Sequence, residues 1–586
     1  MTRTEAIAEI DGIFDRFAAG APAPGVVYGI VIGGELVHAR GLGTLRVGVQ
    51  ALPDRDSVFR IASMTKSFTA AAVILLRDGG RLRLDDPVST WVPELADLAR
   101  ATADSPPITI EHLLTMSAGF PTDDPWGDRQ QGLDPALFAA FLREGISLAW
   151  APGTRFEYSN LGYGILGRVI TRAAGVEYRD FVRDELLVPL GMNATAFLQE
   201  GVPVERLALG YLRRDGAWLE EPIDPYGALA SMGGIFTSIG DLARWVAGFT
   251  DAFPARDDPD EGHPLRRASR REMQQIHRAI EPELTWTSAD AAPVVVVGGY
   301  GYGLGVTHDL RFGRIVEHAG GYPGYGSNMR WQLASGIGVI AFGNARYAPM
   351  YRPVKEALVV LLAAEAAPPR RVVAWRERDE ARTAVERLLE RWDDADAIRL
   401  FAMNVALDEP LALRQAAVER LRDRHGTLRS DESTPPESFS PAHVAWWMTG
   451  ERGRVHVEML LSPERPPRVQ SLKLTSVPDP SALLTAYATR LVALLAEPAP
   501  AWPSDLPMAS AADRIASERA LRAVAARFDP VILGRATAGD GEKTATWRLS
   551  GDQGELDLLL ELDVAGDRLV KVGFVPRPMQ APTLAD

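Results

Sequence analysis

The sequence predicts an α/β fold for residues 1–365, followed by two small, repeated α+β domains. Strand-like apolar segments occur near residue 26 and again after residue 294, and the long stretch between them is helical in pattern. A sheet assembled from both ends of a domain, with an all-helical insert between, accounts for that order. After residue 371, a group of helices followed by strands occurs twice. These observations define the predicted architecture.

The first elements of the chain are a helix and a hairpin. Charged and apolar residues alternate at helical spacing over 5–18, which predicts an amphipathic helix. Two apolar segments, 26–31 and 36–43, flank Gly33-Gly34, a pair typical of the turn between two antiparallel strands.

The remaining elements of the first domain follow from apolar periodicity, N-capping residues and glycine stops. Helices are predicted at 108–114, 164–174, 238–249 and 353–364. Strands are predicted at 302–307, 314–317, 329–333 and 336–344. The polar segment 122–131, which contains Trp126, predicts an exposed loop.

A change in composition separates the C-terminal part of the chain from the rest. The segment 365–371, with the sequence EAAPPRR, predicts a linker. We therefore expect three domains, at 1–365, 372–478 and 479–580.

The last two domains are related by a weak internal repeat with a spacing of 101 residues. Trp446 with Gly450 to Gly453 corresponds to Trp547 with Gly551 to Gly554, and Leu461 corresponds to Leu562. Helices are predicted at 384–401, 413–424, 483–496 and 512–528. Three strands follow in the first unit, at 444–448, 455–461 and 469–475. Neither unit contains a catalytic motif.

Composition limits the partners and the chemistry. The formal net charge of −14 argues against nucleic acid or an anionic membrane as a partner. The absence of cysteine excludes disulfides, thiolate metal sites and a cysteine nucleophile. The N-terminus lacks the continuous apolar segment of a signal peptide, and no apolar run approaches the ~20 residues that span a bilayer. We therefore expect a cytoplasmic protein.

The candidate nucleophile is Ser63, at the start of a predicted buried helix that ends at Gly79-Gly80. Lys66 follows three residues later, one turn along the same face. A serine needs a base to take its proton, and a desolvated lysine can be that base. The alternative for an isolated Ser-x-x-Lys is a helix-capping serine with a solvated lysine, so further residues must decide.

Two later segments supply what a serine hydrolase would need. In Tyr158-Ser159-Asn160, a phenol near Lys66 can have a lowered pKa and relay a proton, and an amide can hold a substrate carbonyl. In His318-Ala319-Gly320-Gly321, a polar residue precedes small ones that let a substrate backbone lie against a strand. The amides of Ser63 and Gly321 would form an oxyanion hole.

Together, Ser63-Met64-Thr65-Lys66, Tyr158-Ser159-Asn160 and His318-Ala319-Gly320 resemble the three motifs of the serine β-lactamase and penicillin-recognising enzyme superfamily, in order and with similar gaps. The resemblance covers about residues 10–365. It implies an antiparallel sheet flanked by helices, with an all-helical subdomain.

The resemblance also implies roles for individual residues. Ser63 would be the nucleophile, Lys66 the base toward it, and Tyr158 the proton relay and the base for deacylation. Asn160 and His318 would position the substrate. Four further residues are predicted pocket walls, although packed or exposed loop positions are equally compatible with their patterns: Trp126, Tyr322, Tyr325 and Asn328.

The variant of each motif indicates a subgroup. Tyr-x-Asn resembles class C β-lactamases, D,D-carboxypeptidases and esterases of this fold. His318 replaces the lysine of Lys-Thr-Gly, and a histidine with its reference pKa of ~6.5 is mostly neutral at pH 7. That disfavours an efficient β-lactamase, and His-x-Gly instead resembles D-aminopeptidases.

The sequence therefore predicts a serine hydrolase without metal or cofactor that forms an acyl-enzyme with small amides or short peptides, including peptides with D-residues, or with esters. The alternatives are a carboxylesterase or acyltransferase and, less favoured, a β-lactamase or a non-catalytic binding protein. A homo-oligomer formed through the C-terminal domains is a further hypothesis.

Overall fold

The main sheet of the protein takes its strands from two separated parts of the chain, as the computed structural model shows. The structure describes residues 1–260, 262–285, 294–309, 312–364, 374–497, 500–526, 528, 531–551, 554–563, 565 and 567–577. The chain divides into two compact units, Met1–Pro368 and Pro369–Asp586.

The first unit combines short and long helices with the strands of the main sheet. Its helices, in chain order, are α1 Arg3–Ala19, α2 Thr65–Asp78, α3 Val88–Trp91, α4 Ile110–Leu114, α5 Asp124–Gly127, α6 Pro135–Glu144, α7 Asn160–Ala174, α8 Tyr178–Val182, α9 Ile239–Asp251, α10 Arg267–Met273 and α11 Tyr351–Ala364. Its strands are β1 Gly25–Ile32, β2 Glu35–Gly43, β3 Val58–Arg60, β4 Tyr211–Arg214, β5 Ala217–Glu220, β6 Phe236–Ser238, β7 Arg278–Thr285, β8 Val294–Tyr300, β9 Gly305–Asp309, β10 Gly313–Tyr322, β11 Tyr325–Gln332 and β12 Gly338–Gly343.

Within the described residues, the main sheet is antiparallel, with the order β2-β1-β12-β11-β10-β9-β8-β7. Strand β1 is apolar along its length because both of its faces are covered. Tyr28 and Ile30 pack with α1 and α11 on one face, whereas Val27 and Val31 pack with α2 and α9 on the other. Alternate residues of a strand point to opposite faces, so a sheet between two helical layers requires such a run.

The fold prediction for this unit is confirmed, with helices inserted between the two groups of strands. The hairpin turn at Gly33 and Gly34 has φ of +61° and +83°, a backbone region that glycine adopts without strain. Strand β7 is an addition to the predicted elements. Ser63 lies in a short 3-10 helix, Ala62–Met64, and α2 itself begins at Thr65. The alternative of a capping role for Ser63 is wrong, because α2 has no side-chain cap.

The segment 122–131 differs most from its prediction. The prediction of an exposed loop is wrong, because the segment contains α5 and the side chains of Asp123, Asp128 and Gln131 are buried. Asp123 accepts hydrogen bonds from the backbone amides of Asn160 (2.6 Å) and Leu161 (2.7 Å) at the start of α7. Carboxylates are favourable partners for the free amides of a helix N-terminus, and this contact holds the segment against the protein.

The second unit contains two sheets, each covered by helices. Its helices are α12 Arg376–Glu390, α13 Asp394–Leu400, α14 Met403–Asp408, α15 Leu411–His425, α16 Ala482–Leu495 and α17 Ala511–Ala525. Its strands are β13 Arg429–Ser430, β14 Glu437–Ser440, β15 His443–Gly450, β16 Gly453–Leu461, β17 Val469–Pro478, β18 Val531–Gly539, β19 Thr544–Gly551, β20 Gly554–Leu562 and β21 Leu569–Pro576.

Strand pairing in the second unit follows the repeat. Trp446 lies opposite Val457 in the first sheet, and Trp547 lies opposite Leu558 in the second. A register shift occurs next to Leu461 and again next to Leu562, the two leucines that the repeat aligns. The prediction of two small α+β domains is confirmed. The helix predicted at 384–401 is wrong in detail, because Asp393 caps α13 and separates it from α12.

The expected linker 365–371 lies outside the described residues, as do residues 552–553 of the second repeat turn. The repeat supports our proposed domain boundaries, 372–478 and 479–580. Within the described part of the chain, no helix combines the length and apolar composition that a membrane crossing requires.

Candidate active site

Ser63 sits in a backbone segment held between two strands. Strand β3 leads into it, and Ala62 has φ of +50°, in the left-handed region that costs a non-glycine residue free energy. Strand β10 lies directly against this segment: a Cβ atom added to Gly320 would lie 2.2 Å from the Ile61 carbonyl oxygen. Gly320 is therefore needed because the two backbones approach too closely for any side chain.

Lys66 is fully buried on the first turn of α2, with its ammonium group turned toward Ser63. Its Nζ lies 3.1 Å from Ser63 Oγ, 2.6 Å from Asn160 Oδ1 and 3.0 Å from the Met232 carbonyl oxygen. Burial lowers the pKa of Lys66 to about 8, against the opposing effect of Asp124 and Asp128. A base whose pKa lies close to neutral pH can take the serine proton without a large energetic cost.

Asn160 connects Lys66 to segment 122–131. It is the first residue of α7, which Ser159 caps by accepting a hydrogen bond from the Gly162 amide. Its Oδ1 accepts from Lys66, and its Nδ2 donates to Asp124 Oδ1 at 2.8 Å. The amide orientation is therefore fixed from both ends, and the lysine is held toward the serine.

Tyr158 is half-buried, and its hydroxyl makes a hydrogen bond with the Ser63 side chain. The Lys66 Nζ lies 4.9 Å from the centre of the Tyr158 ring. The expectation that Lys66 lowers the pKa of this phenol is wrong. Burial raises the pKa of Tyr158 well above its ordinary value, and the carboxylate of Asp124 adds to the effect. The residue is therefore a neutral phenol at neutral pH, able to pass a proton but not to act as a phenolate.

His318, on β10, is buried and has both ring nitrogens engaged. Its Nδ1 lies 2.6 Å from the Ala319 carbonyl oxygen, which can only accept, so Nδ1 carries the proton. Its Nε2 lies 2.9 Å from the Tyr300 hydroxyl and accepts a hydrogen bond from it. Burial, with Lys66 nearby, lowers the pKa of His318 to about 3. The imidazole is therefore neutral at pH 7, as the sequence suggested. The reference pKa of histidine already predicted this, and desolvation lowers the pKa further.

These residues border a cleft of about 700 Å³. Its walls include Ser63, Tyr158, Tyr300, His318, Gly321, Asp124, Asp128, Glu317, Arg330 and Tyr347. Ser63 and Gly321 line the same cleft, which is the arrangement that an oxyanion hole built from their amides requires. The cleft is large enough for a small ligand.

The predicted pocket walls are not among the cleft-lining residues. Trp126 is partly exposed and packs near Phe141, with ring centres 5.4 Å apart. The Tyr322 ring lies 4.3 Å from the buried Arg60 guanidinium, and its hydroxyl donates to Asp224. Tyr325 and Asn328, on β11, are buried in the core, where they donate hydrogen bonds to the carbonyl oxygens of Ala208 and His318 respectively. Sequence proximity to Gly320 therefore does not identify which side chains face the cleft.

The acidic part of the cleft is formed by residues that the sequence motifs did not identify. Asp124 and Asp128 lie in the segment predicted as an exposed loop, and Tyr347 follows β12. The Tyr347 hydroxyl donates to Asp128 Oδ2 at 2.8 Å, across 219 residues of sequence. The close spacing of Asp123, Asp124 and Asp128 is visible in the sequence, but it did not mark a site, because carboxylates are also common in solvated loops.

A model of the Beta-lactamase family matches residues 10–364, more than half of the chain. The chain belongs to the Beta-lactamase family. The matched residues contain every member of the Ser63, Tyr158 and His318 motifs.

Two relatives from different bacteria are similar to this chain. D-alanyl-D-alanine-carboxypeptidase/endopeptidase AmpH of Escherichia coli strain K12 is 30% identical over 244 residues, which cover 40% of this chain and 60% of that protein. Protein flp of Staphylococcus aureus strain NCTC 8325 is 31% identical over 348 residues, or 58% of this chain and 64% of flp. The chain thus spans less than two thirds of either relative.

A solved structure, the octameric penicillin-binding protein homologue from Pyrococcus abyssi, resembles this chain with a TM-score of 0.53. The likeness covers 97% of this chain and 98% of the other at 19% sequence identity, and it is a likeness of fold. It extends through the C-terminal sheets as well as the Beta-lactamase family domain.

Proposed function

We propose that the protein hydrolyses small amides or short peptides, including peptides with D-residues, or esters, through an acyl-enzyme on Ser63. The observation that carries the proposal is the contact between Lys66 Nζ and Ser63 Oγ, with burial lowering the pKa of the lysine to about 8. At neutral pH about a tenth of such a lysine is neutral and ready to accept a proton.

In the proposed acylation, Ser63 is the nucleophile, Lys66 first accepts and later returns a proton, and Tyr158 passes that proton to the leaving group. Ser63 Oγ forms a bond to the substrate carbonyl carbon while its proton passes to neutral Lys66. The carbonyl oxygen gains the negative charge, which the amides of Ser63 and Gly321 would stabilise. The carbonyl–leaving group bond then breaks, and the leaving group takes a proton from Tyr158, which Lys66 resupplies.

Deacylation reverses the proton path. Water attacks the acyl carbon while one of its protons passes through the Tyr158 hydroxyl to Lys66. The ester bond to Ser63 then breaks, Ser63 Oγ takes that proton back from Lys66, and the acid is released. The raised pKa of Tyr158 favours this relay over a phenolate base, since the neutral phenol both donates and accepts.

Labelling of Ser63 tests the nucleophile directly. A fluorophosphonate is expected to add one adduct to the wild-type protein, seen by intact mass, and none to Ser63→Ala. The adduct should map to the peptide that contains Ser63. Equal labelling of both proteins, or labelling elsewhere, would refute the assignment.

A substrate panel separates the versions of the proposal. D-aminoacyl p-nitroanilides, short-chain p-nitrophenyl esters and β-lactams are compared, with Ser63→Ala as the control. Turnover of amides is expected, with esters as additional substrates. Hydrolysis of esters alone would contradict the amide and peptide part of the proposal and identify the protein as an esterase.

We also propose that the protein forms a homo-oligomer through its C-terminal unit. The support is the resemblance in fold to a protein described as octameric, together with large apolar side chains exposed on that unit, such as Met403, Leu407 and Ile532. Light scattering of the full chain measures the assembly. A monomer at every concentration would contradict this proposal.

A further inference from the structure

The charges that face the cleft are predominantly negative. Asp124, Asp128 and Glu317 line it, against one guanidinium, that of Arg330. Arg330 is already engaged, because its Nη2 donates to Glu317. Two aspartates therefore remain in the cleft wall without a compensating cation among its lining residues.

Asp128 is the more unusual of the two. The residue is 5% exposed, and the hydrogen bond that it accepts comes from the neutral hydroxyl of Tyr347. No ion pair joins it to an arginine or lysine within the described part of the chain, and burial raises its pKa to about 6 even though the charge of the buried Lys66 acts to lower it. Arg129 and Arg346, the cations near Tyr347, both lie against Glu221 and do not line the cleft. A buried, unpaired carboxylate costs free energy, which a cationic ligand would offset.

His318, which also lines the cleft, has no donor to offer a substrate anion. The Nδ1 proton of His318 points to the Ala319 carbonyl oxygen, and its Nε2 accepts from Tyr300. The neutral imidazole thus has no free N–H for a substrate carboxylate. Apart from the proposed oxyanion hole, the side chains that line the cleft therefore favour a cationic substrate group over an anionic one.

We propose that the cleft selects substrates that carry an ammonium group, such as a free N-terminal amine, and that Asp128 is the residue that binds it. Tyr347 holds the Asp128 carboxylate in the cleft wall through its hydroxyl. Asp124 contributes negative charge, but its Oδ1 is already used to orient Asn160. This inference rests on the proposed function and specifies the substrate class of the same site.

Protection of Ser63 from fluorophosphonate labelling tests the inference without requiring turnover. Three derivatives of one amide that differ in charge are compared at pH 7: alaninamide, which is cationic, N-acetyl-alaninamide, which is neutral, and N-succinyl-alaninamide, which is anionic. For the wild-type protein we expect alaninamide to protect at a concentration about tenfold or more below that of the acetyl compound. Its ammonium group can form a charge-assisted hydrogen bond with Asp128, which the acetylated nitrogen cannot form. The succinyl compound should protect least.

Two variants identify the residue. Asp128→Asn is expected to bring the ratio between alaninamide and its acetyl derivative close to one. Tyr347→Phe is the matched control, since it removes the hydrogen bond and keeps the charge, and it should retain the preference for the amine. Use of a ratio cancels any change that Asp128→Asn makes in the reactivity of Ser63.

The outcomes are distinct. Equal protection by all three ligands, stronger protection by the neutral or anionic ligand, or no protection by any would overturn the inference, and these wild-type results do not depend on how well a variant folds. An unchanged ratio in Asp128→Asn would overturn the role of that residue. A wild-type protein whose Ser63 is not labelled even without ligand would instead overturn the proposed function, and the inference with it.

Discussion

Two walls of the cleft each contain a buried ionisable group, a lysine in one and an aspartate in the other. The two groups differ in the hydrogen-bond partners that surround them. The catalytic wall consists of Ser63 and Tyr158 together with the buried residues Lys66 and Asn160, which do not themselves line the cleft. The acidic wall consists of Asp124, Asp128 and Tyr347. Burial lowers the pKa of Lys66 from 10.5 to about 8 and raises the pKa of Asp128 from 3.8 to about 6. In both walls desolvation favours the neutral form of the group. In the catalytic wall the neutral form has a role within the protein, because neutral Lys66 can take the proton of Ser63.

The difference lies in the partners of each group. Lys66 contacts the serine that it would deprotonate, an amide and a backbone carbonyl, so its hydrogen-bonding capacity is satisfied. Asp128 accepts from one phenol and faces the cleft. A buried polar group with too few partners costs free energy, so Asp128 is the one of the two groups that a ligand would stabilise. Four predictions test this contrast, from the largest expected effect to the smallest.

Replacement of Lys66 should have the largest effect. Lys66→Ala removes the base from Ser63, and general-base catalysis typically contributes about 10²–10⁴-fold to the rate. We expect kcat/KM to fall by about 10³-fold while the protein remains folded, as circular dichroism can verify. Ser63→Ala provides the floor of the assay. Loss of less than about tenfold would mean that another group deprotonates the serine.

Gly320→Ala should displace the backbone segment that carries Ser63. The new Cβ would lie 2.2 Å from the Ile61 carbonyl oxygen and from Ser327 Oγ, so β10 and the Ser63 segment must separate. We expect about a 10²-fold loss in kcat/KM, and a loss of about 1–3 kcal/mol in the free energy of unfolding, as overpacking typically costs.

Gly162→Ala is the matched control for that substitution. Gly162 lies in α7, and the atom nearest to a new Cβ is 3.7 Å away, an ordinary contact. Urea denaturation and kcat/KM should be close to wild type. Equal behaviour of the two variants would contradict the close approach of β10.

The pH dependence of kcat/KM couples the two walls. Lys66 acts as a base only when neutral, so kcat/KM should rise with pH and level off above about 8, near the pKa of the lysine. The charges on Asp124 and Asp128 raise that pKa. Asp128→Asn should therefore move the midpoint of the profile to lower pH, when assayed with a neutral ester.

Asp85→Asn is the control for the shift in the midpoint. Asp85 is a surface carboxylate of the same unit, paired with Arg83, and its loss should leave the profile unchanged. A midpoint that does not move in Asp128→Asn, or that moves to higher pH, would contradict the inference that the charge of Asp128 raises the pKa of Lys66.

Tyr300→Phe should have the smallest effect. It removes the hydroxyl that donates to His318 Nε2, and one such hydrogen bond is worth about 1 kcal/mol, or severalfold in kcat/KM. Imidazole ¹⁵N chemical shifts report the tautomer directly. In the wild-type protein we expect the proton on Nδ1, and in Tyr300→Phe a less strictly fixed tautomer. A proton on Nε2 in the wild-type protein would contradict the assignment.

Much of the catalytic wall could be predicted from the sequence because its spacing is local. Ser63 and Lys66 lie one turn apart at the start of an apolar helix, and Ser159 caps the helix that begins with Asn160. Local hydrogen bonds and helical periodicity determine such contacts wherever the segment lies. The repeat of the second unit was also visible, since Trp446 and Trp547 occupy the same strand register.

The acidic wall was decided by tertiary structure alone. Asp128 and Tyr347 are 219 residues apart, and no local pattern indicates that the loop before α6 and the loop after β12 meet. The same packing directs Tyr322 and Tyr325 into the core and not into the cleft. The pKa shifts of Lys66, Tyr158 and His318 also depend on it, because desolvation is set by everything that surrounds a group and not by its neighbours in sequence.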